Sequence, residues 1–389
     1  MSVTAAQGFR AAGVPAGLKT TGARDVALVV NDGPLQVAAG VFTRNRVQAA
    51  PVLWSRRVAA TGTARGVVLN SGGANACTGP EGLTDTETTA AHVATALGTE
   101  AQEVLVCSTG LIGERLPMPA LLAGADAAAA ALDAGDGAGA DAAAAIMTTD
   151  TVAKTATATL PGGAVVGGMA KGAGMLAPQL ATMLVVITTD AEVDPATAQQ
   201  ALSTATRTTF DRVDSDACMS TNDTVLLLAS GASGVAATLE ELTEAVRAVS
   251  ADLARQLVAD AEGASHDVHV EVTSATTEDA ALAVAREIAR SNLVKAAIFG
   301  NDPNWGRIVS AAGCVDEQTA PFDPAQLSVT VNGIQVCREG GAHIDRSQVD
   351  MTPRETRIEV DLGAGSAAAD IWTNDLTHDY VEENSAYSS

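Results

Sequence analysis

Short runs rich in Val, Ile and Leu, bounded by Gly, Asn, Asp or Thr, recur along the chain and predict strands. They are VALVV from Val26, GVVLN from Gly66, VLVC from Val104, AVVGG from Ala164, MLVVITT from Met183 and TVLLLAS from Thr224. HDVHVEV from His266 alternates apolar and polar positions at strand spacing, and LSVTVNGIQV reads as a hairpin turning at Asn332-Gly333, a pair suited to two consecutive positive φ angles. Between these runs the period becomes helical. TDTETTAAHVATALG and TLEELTEAVRAVSADLARQLV each open with a Thr-x-x-Glu capping box, Thr84 with Glu87 and Thr238 with Glu241. A third helix is predicted near Glu278, and the Ala-rich stretch 121–147 reads as two helices interrupted by DAGDGAGAD. Strands alternating with helices predict an α/β or α+β protein with helices packed on sheet layers.

Composition constrains what fills those layers. Apolar residues make up 47% of the 389 positions but aromatics only 3%, so Ala, Val and Leu must interlock closely in the interior. Apolar runs such as MLVVI are far too short to cross a bilayer, and the N-terminal MSVTAAQGFR lacks a basic region followed by an apolar core. The expectation is a soluble, cytoplasmic protein. Net charge is −23 and uneven: residues 1–181 carry 11 basic against 13 acidic side chains (−2), residues 182–389 carry 12 against 33 (−21). Such a field repels nucleic acid and anionic membranes, so neither is an expected partner. The five cysteines are scattered without a C-x-x-C pair, which argues for reduced thiols over a disulfide framework. His266 and His269 sit three apart in a strand pattern that points them to opposite faces, and no metal site is expected.

Several polar clusters follow predicted strands. LNSGGANACTG presents Asn70, Ser71, Asn75 and Thr78; STGLIG places Thr109-Gly110 where backbone N–H groups could meet a developing oxyanion; MTTDTVAK offers Thr148, Thr149, Asp150 and Thr151. Each also fits an ordinary turn. GGMAKGAGM lacks the P-loop order, so a nucleotide site is rejected. GNDPNWGR reads as a turn carrying Trp305 and Arg307. No Ser/His/Asp arrangement or G-x-S-x-G elbow is visible. Thr182, after KGAGMLAPQLA and before an apolar strand, raises a different possibility. A chain cut before this threonine would free an α-amino group, with a pKa of about 8, to take the hydroxyl proton. Small Ala181, the Gly/Pro-rich approach and the strand that follows suit such a cut. On the residues alone, an ordinary strand-entry threonine fits as well.

The motifs, in order, resemble one family over nearly the whole chain: FTRNRVQAAPV, NSGGANACTG, STGLIGERLPM, IMTTDT, GMAKGAGMLAPQLATML, DSDACMSTNDT, NDPNWGRI and ENSAYSS. This series resembles the ornithine acetyltransferases, the self-cleaving glutamate N-acetyltransferases of arginine biosynthesis. The resemblance implies a layered αββα-like sandwich similar to N-terminal-nucleophile hydrolases, with a smaller additional domain. It implies cleavage between Ala181 and Thr182 into an α segment, 1–181, and a β segment, 182–389, that share one fold, with a dimer of αβ heterodimers as the assembly. Carried over, Thr182 is the nucleophile, Thr109 and Gly110 form the oxyanion hole, and Thr148, Lys171, Thr182, Glu262, Asn384 and Ser389 bind substrate. The implied reaction moves acetyl from N2-acetylornithine to glutamate. No cofactor is implied, and whether acetyl-CoA also serves as a co-substrate donor is left open. A related self-processing aminopeptidase or amidohydrolase is the alternative. Two positions depart from the family pattern: Gly73 where Asn is frequent, and Ala217 where Gly is common.

Overall fold

A computed structural model describes residues 2–175 and 183–386. They form two compact units, one from 2–211 with 218–260 and one from 212–217 with 261–386. The first unit contains, in chain order, β1 (Phe9–Val14), β2 (Val26–Asn31), β3 (Val37–Phe42), α1 (Ala50–Ala59), β4 (Gly66–Asn70), α2 (Gly79–Leu97), β5 (Val104–Ser108), α3 (Met118–Ala130), α4 (Asp136–Ala145), β6 (Lys154–Thr159), β7 (Val165–Lys171), β8 (Leu184–Thr189), α5 (Pro195–Arg207), β9 (Thr224–Ala229) and α6 (Leu239–Ala259). Two sheets result, ordered β1-β2-β4-β5 and β3-β9-β8-β7-β6.

Every residue of β2, β4, β5, β8 and β9 is buried, which explains why these strands read as continuous apolar runs. In the second sheet Val186 pairs with Met169 and Leu226, and these three join Leu28, Val68 and Val106 of the first sheet in one apolar cluster. The intervening residues Val185, Ile187, Val225 and Leu227 are equally buried on the opposite face, where α5 and α6 pack. Helices α3 and α4 cover the first sheet. The order is therefore helix, sheet, sheet, helix, the expected αββα sandwich. Small residues permit the close layers: a Cβ at Gly13 would lie 2.0 Å from the Asp141 carbonyl oxygen of α4. Edge strand β5 is closed by α1, whose Trp54 Nε1 donates to Val104 O (2.9 Å) and whose Ser55 Oγ donates to Val106 O (2.7 Å).

The second unit contains β10 (Asp267–Ala275), α7 (Glu278–Arg290), α8 (Asn292–Phe299), α9 (Trp305–Ala312), β11 (Ser328–Val331), β12 (Ile334–Arg338), β13 (Gly341–Ala342), β14 (Glu355–Asp361), β15 (Ala367–Asn374) and α10 (His378–Ala386). Its sheet runs β13-β12-β11-β14-β10-β15. Only one face is fully covered. Val268, Val270 and Val272 of β10 meet Val284 and Ile288 of α7 in the core, while the alternating His269 and Glu271 are half-buried. This is the smaller additional domain that the sequence implied.

Most predicted elements form, and three boundaries differ. The helix placed at Thr84 begins at Gly79, because Pro80 presets the first turn; Thr84 lies inside it, its hydroxyl donating to Pro80 O (3.3 Å). The break between the Ala-rich helices is shorter than DAGDGAGAD, since α4 starts at Asp136. Trp305 and Arg307 lie in the first turn of α9 rather than in a free turn, with the Asn304 side chain accepting from Arg307 N. By contrast, the Thr238–Glu241 capping box is present as read, and Asn332 and Gly333 take φ of 47° and 80°. No helix among the described residues is long and apolar enough to cross a membrane.

Ala217 has φ of 61°, a left-handed conformation that costs an L-residue about 1 kcal/mol. Ala217→Gly removes the Cβ and is expected to raise unfolding stability by about 0.5–1 kcal/mol, read from urea denaturation curves. Unchanged or lower stability would show that the Cβ is accommodated without strain.

Candidate active site

The site is built where the two sheets of the first unit end. Asn70 and Ser108 terminate the parallel neighbours β4 and β5 in register, and the Asn70 amide donates to Ser108 Oγ (2.6 Å). In the second sheet Lys171, Leu184 and Thr224 are aligned across β7, β8 and β9. Asn222, just before β9, ties the two together, its Nδ2 donating to Ala74 O (2.6 Å) and Ser108 O (2.8 Å). Strand ends are where an α/β framework leaves polar groups free to converge.

Thr109 follows β5 and is buried, with its N–H donating to Asn70 O (3.0 Å) and its carbonyl accepting from Gly73 N (3.0 Å). Its backbone N–H is thus already engaged. The group Thr109 can offer an oxyanion is its hydroxyl, which refines the expectation of paired N–H donors. Gly110 has φ of +130°, and a Cβ there would lie 2.8 Å from Gly73 N, so only glycine fits this turn. Its N–H bonds to none of the described residues.

Lys171 reaches this turn from β7: its Nζ is 3.3 Å from Thr109 Oγ1 and 3.9 Å from Asp150 Oδ2. Asp150 is a hub. It accepts from Thr148 N (3.0 Å), Gly172 N (2.6 Å) and Lys154 Nζ (2.7 Å). Lys154 also pairs with Asp260 Oδ2 (2.6 Å), and Asp260 accepts from Thr151 N (3.0 Å). Burial alone would raise the Asp150 carboxyl, but the Lys171 and Lys154 ammoniums and the Gly172 amide outweigh it and hold the group at about 2. The formal charges of Asp150, Asp260, Lys154 and Lys171 sum to zero, which is what allows them to be buried.

The chain has only four lysines, Lys19, Lys154, Lys171 and Lys295, and none is exposed. Lys19 is half-buried and donates to Met147 O (2.7 Å), next to Thr148. Three of the four therefore gather at one site, while arginines carry the rest of the basic charge. Sequence analysis names Asp150 and the threonines of MTTDTVAK but not this gathering of lysines. It also missed Asp223, a buried residue whose Oδ1 accepts from the Met183 N–H (3.0 Å), just beyond Thr182; burial pushes its carboxyl well above the usual range. Cys107, one residue before Ser108, is no rival nucleophile, since burial raises its thiol to about 12.

Two further sequence candidates hold local structure. Ser71 Oγ donates to Ala145 O (2.6 Å), and Asn75 bonds Gly82 O, Thr86 and Thr78, forming a structural corner. In the second unit Asn384 Nδ2 donates to Glu262 Oε2 (3.0 Å), so these two predicted residues adjoin. His266 and His269 bond Asp375 and Asp370 respectively, and no group of three or more His, Cys, Asp or Glu among the described residues could hold a metal. Ala181, Thr182 and Ser389 lie outside the described residues.

These features define a layered α/β protein whose buried cations and a threonine-glycine turn converge at the ends of two facing sheets. Residues 10–389 match the ArgJ family model. The arginine biosynthesis bifunctional protein ArgJ of Streptomyces coelicolor is 62% identical over 389 residues, all of each chain, and that of Thermobifida fusca is 57% identical over the same span. The ornithine acetyltransferase of Mycobacterium tuberculosis, solved in complex with ornithine, is 57% identical, covering 47% of this chain and 96% of that one at a TM-score of 0.45. The Bacillus halodurans ArgJ structure is 37% identical, covering 47% and 95% at 0.43. The chain belongs to the ArgJ family.

Proposed function

We infer that this protein is an acetyltransferase of arginine biosynthesis, a glutamate N-acetyltransferase that takes acetyl from N2-acetylornithine. The observation that carries this reading is the match of the whole chain to bifunctional ArgJ proteins. The contact between Lys171 and Thr109 gives it a physical basis.

In the proposed maturation, Thr182 Oγ attacks the Ala181 carbonyl carbon. The N-to-O shift breaks the Ala181–Thr182 amide, frees the Thr182 α-amine and leaves an ester on Oγ, which water then hydrolyses to the Thr182 hydroxyl and an Ala181 carboxylate. Segments 1–181 and 182–389 stay together, and two such pairs assemble in the cytoplasm. In turnover the α-amine takes the Thr182 hydroxyl proton as the oxygen attacks the acetyl carbonyl of acetylornithine. Collapse of the tetrahedral intermediate expels ornithine, which carries the proton away. Glutamate's amine then attacks the acetyl-threonine ester and leaves as N-acetylglutamate. Thr109 Oγ1–H and Gly110 N–H supply donors to the oxyanion. Thr148, Lys171, Glu262, Asn384 and Ser389 bind substrate, with the Glu262 carboxylate suited to an ammonium. No cofactor takes part, and acetyl-CoA is a second donor to be tested.

Incubating purified protein with acetylornithine and labelled glutamate tests the reaction. Acetylglutamate with matching ornithine release supports transfer; free acetate alone would mean a hydrolase. Thr109→Val, which keeps the shape but loses the donor, is expected to lower kcat by about 10²–10³. An unchanged kcat would remove Thr109 from the oxyanion hole.

A further inference from the structure

Asp150 has no part in the steps above, yet its carboxylate touches the backbone beside two proposed substrate residues and faces the ammonium of one. Gly172 N and Thr148 N both donate to it, and Lys171 Nζ lies 3.9 Å away. An ammonium carries only donors, so where Lys171 meets Thr109 Oγ1 at 3.3 Å the threonine oxygen must accept. The hydroxyl proton of Thr109 is then left to donate elsewhere. Its backbone N–H is already held by Asn70 O.

We propose that Asp150 is a positioning residue for acetyl transfer: by anchoring the Lys171 ammonium, it makes Lys171 donate to the Thr109 oxygen and so turns the Thr109 hydroxyl outward as an oxyanion donor. The inference rests on the transferase reading and deepens it. Lys154 and Asp260 complete the arrangement. Lys154 has Asp260 at 2.6 Å as a second carboxylate, so Asp150→Asn leaves Lys154 paired and strips a carboxylate chiefly from Lys171. Among the described residues, the charged groups facing this cluster include Lys154 from β6, Asp260 after α6, Asp223 before β9, and Lys19, which lies near Asp25 and Asp150. Lys171 is only 1% exposed, so water compensates little for a lost carboxylate.

Because the chain has four lysines, protein labelled with [15N,13Cε]lysine gives four side-chain signals, and Lys171→Arg identifies the one from Lys171. In Asp150→Asn that signal is expected to titrate at least about one pH unit lower. The kcat for transfer should fall about tenfold to a hundredfold, with the KM for glutamate little changed and the basic limb of the kcat profile displaced to lower pH. Asp150→Glu should restore part of the rate and of the titration. An unmoved Lys171 titration overturns the proposal, as does a raised KM with intact kcat, which would assign Lys171 to a substrate carboxylate instead. If Asp150→Asn does not fold, Asp150→Glu alone decides, by whether its Lys171 titration and kcat profile move together. Wild-type protein that makes no acetylglutamate overturns the transferase reading instead, a result separable from the lysine titration.

Discussion

Thr182→Ala is expected to give a single uncut chain of 389 residues with no detectable acetyl transfer, whereas wild-type protein gives two masses meeting at Ala181/Thr182. The effect is the largest to be expected, because in the proposed chemistry one oxygen serves twice: it would attack the Ala181 carbonyl in maturation and the acetyl carbonyl in turnover. Alanine supplies no nucleophile for either, and the α-amine that would act as base is never released. Thr182→Ser keeps the hydroxyl and should still cut and transfer at reduced rate. Intact mass spectrometry under denaturing conditions reads the cut and an acetylglutamate assay reads the transfer. A cut, active Thr182→Ala enzyme would move both chemistries to another residue.

Lys154→Met is expected to cost about 3–5 kcal/mol of stability, the usual penalty for leaving a buried charge without its partner. Lys154 is 0% exposed and bonds both Asp150 and Asp260. Its loss leaves two carboxylates against Lys171, a net −1 in a site sealed from water. Adding Asp260→Asn returns the sum to zero and should recover a sizeable part of the loss. The measurement is urea unfolding in the Thr182→Ala background, where the chain remains in one piece. A loss below about 1 kcal/mol would mean that the cluster is hydrated or rearranges. The same cluster makes stability depend on acidity. Asp150 is held below its usual value of 3.8, at about 2. Its stabilising contribution is therefore fully present above pH 4, and is lost as pH falls toward 2 and the folded carboxylate takes up a proton.

Residue chemistry made parts of this molecule easy to read. VALVV, GVVLN and TVLLLAS are buried on both faces, and that environment selects unbroken apolar runs whatever the distant sequence does. KTATAT lacks the apolar run because it is an edge strand with exposed threonines, and FRAAGV and VAAGVF lack it for another reason. Where a neighbouring layer comes close, glycine and alanine replace branched residues, as Gly13 does against α4, and the strand signature disappears. The Thr109-Gly110 turn stood as one of several polar turns until the ordered motifs singled it out, and Lys171 was legible only through those motifs. The hub between them was not, because its contacts join distant stretches: Lys154 meets Asp260 across 106 positions, and no local period encodes such a pair. The glycine that terminates β-turns is visible in sequence, whereas the aspartate that balances a buried lysine is visible only once both are placed.

Strands β7 and β8 lie side by side, paired from Lys171↔Leu184 to Val166↔Thr189, and they belong to opposite sides of the Ala181/Thr182 junction. Before the cut, forming that ladder is a unimolecular event with a short connection. After the proposed cut the same six pairs would have to form between two molecules, so the molecularity of folding would change while the contacts would not. Refolding of the mature protein from denaturant should therefore improve with protein concentration, and that of the uncut Thr182→Ala chain should not. Each fragment alone would present an unpaired sheet edge, β7 on one and β8 on the other, so slow reassembly would compete with aggregation. If the chain is cut as proposed, denaturation of the mature form would carry hysteresis that the precursor lacks, and its working lifetime would be governed by how slowly it opens, not by how readily it closes again.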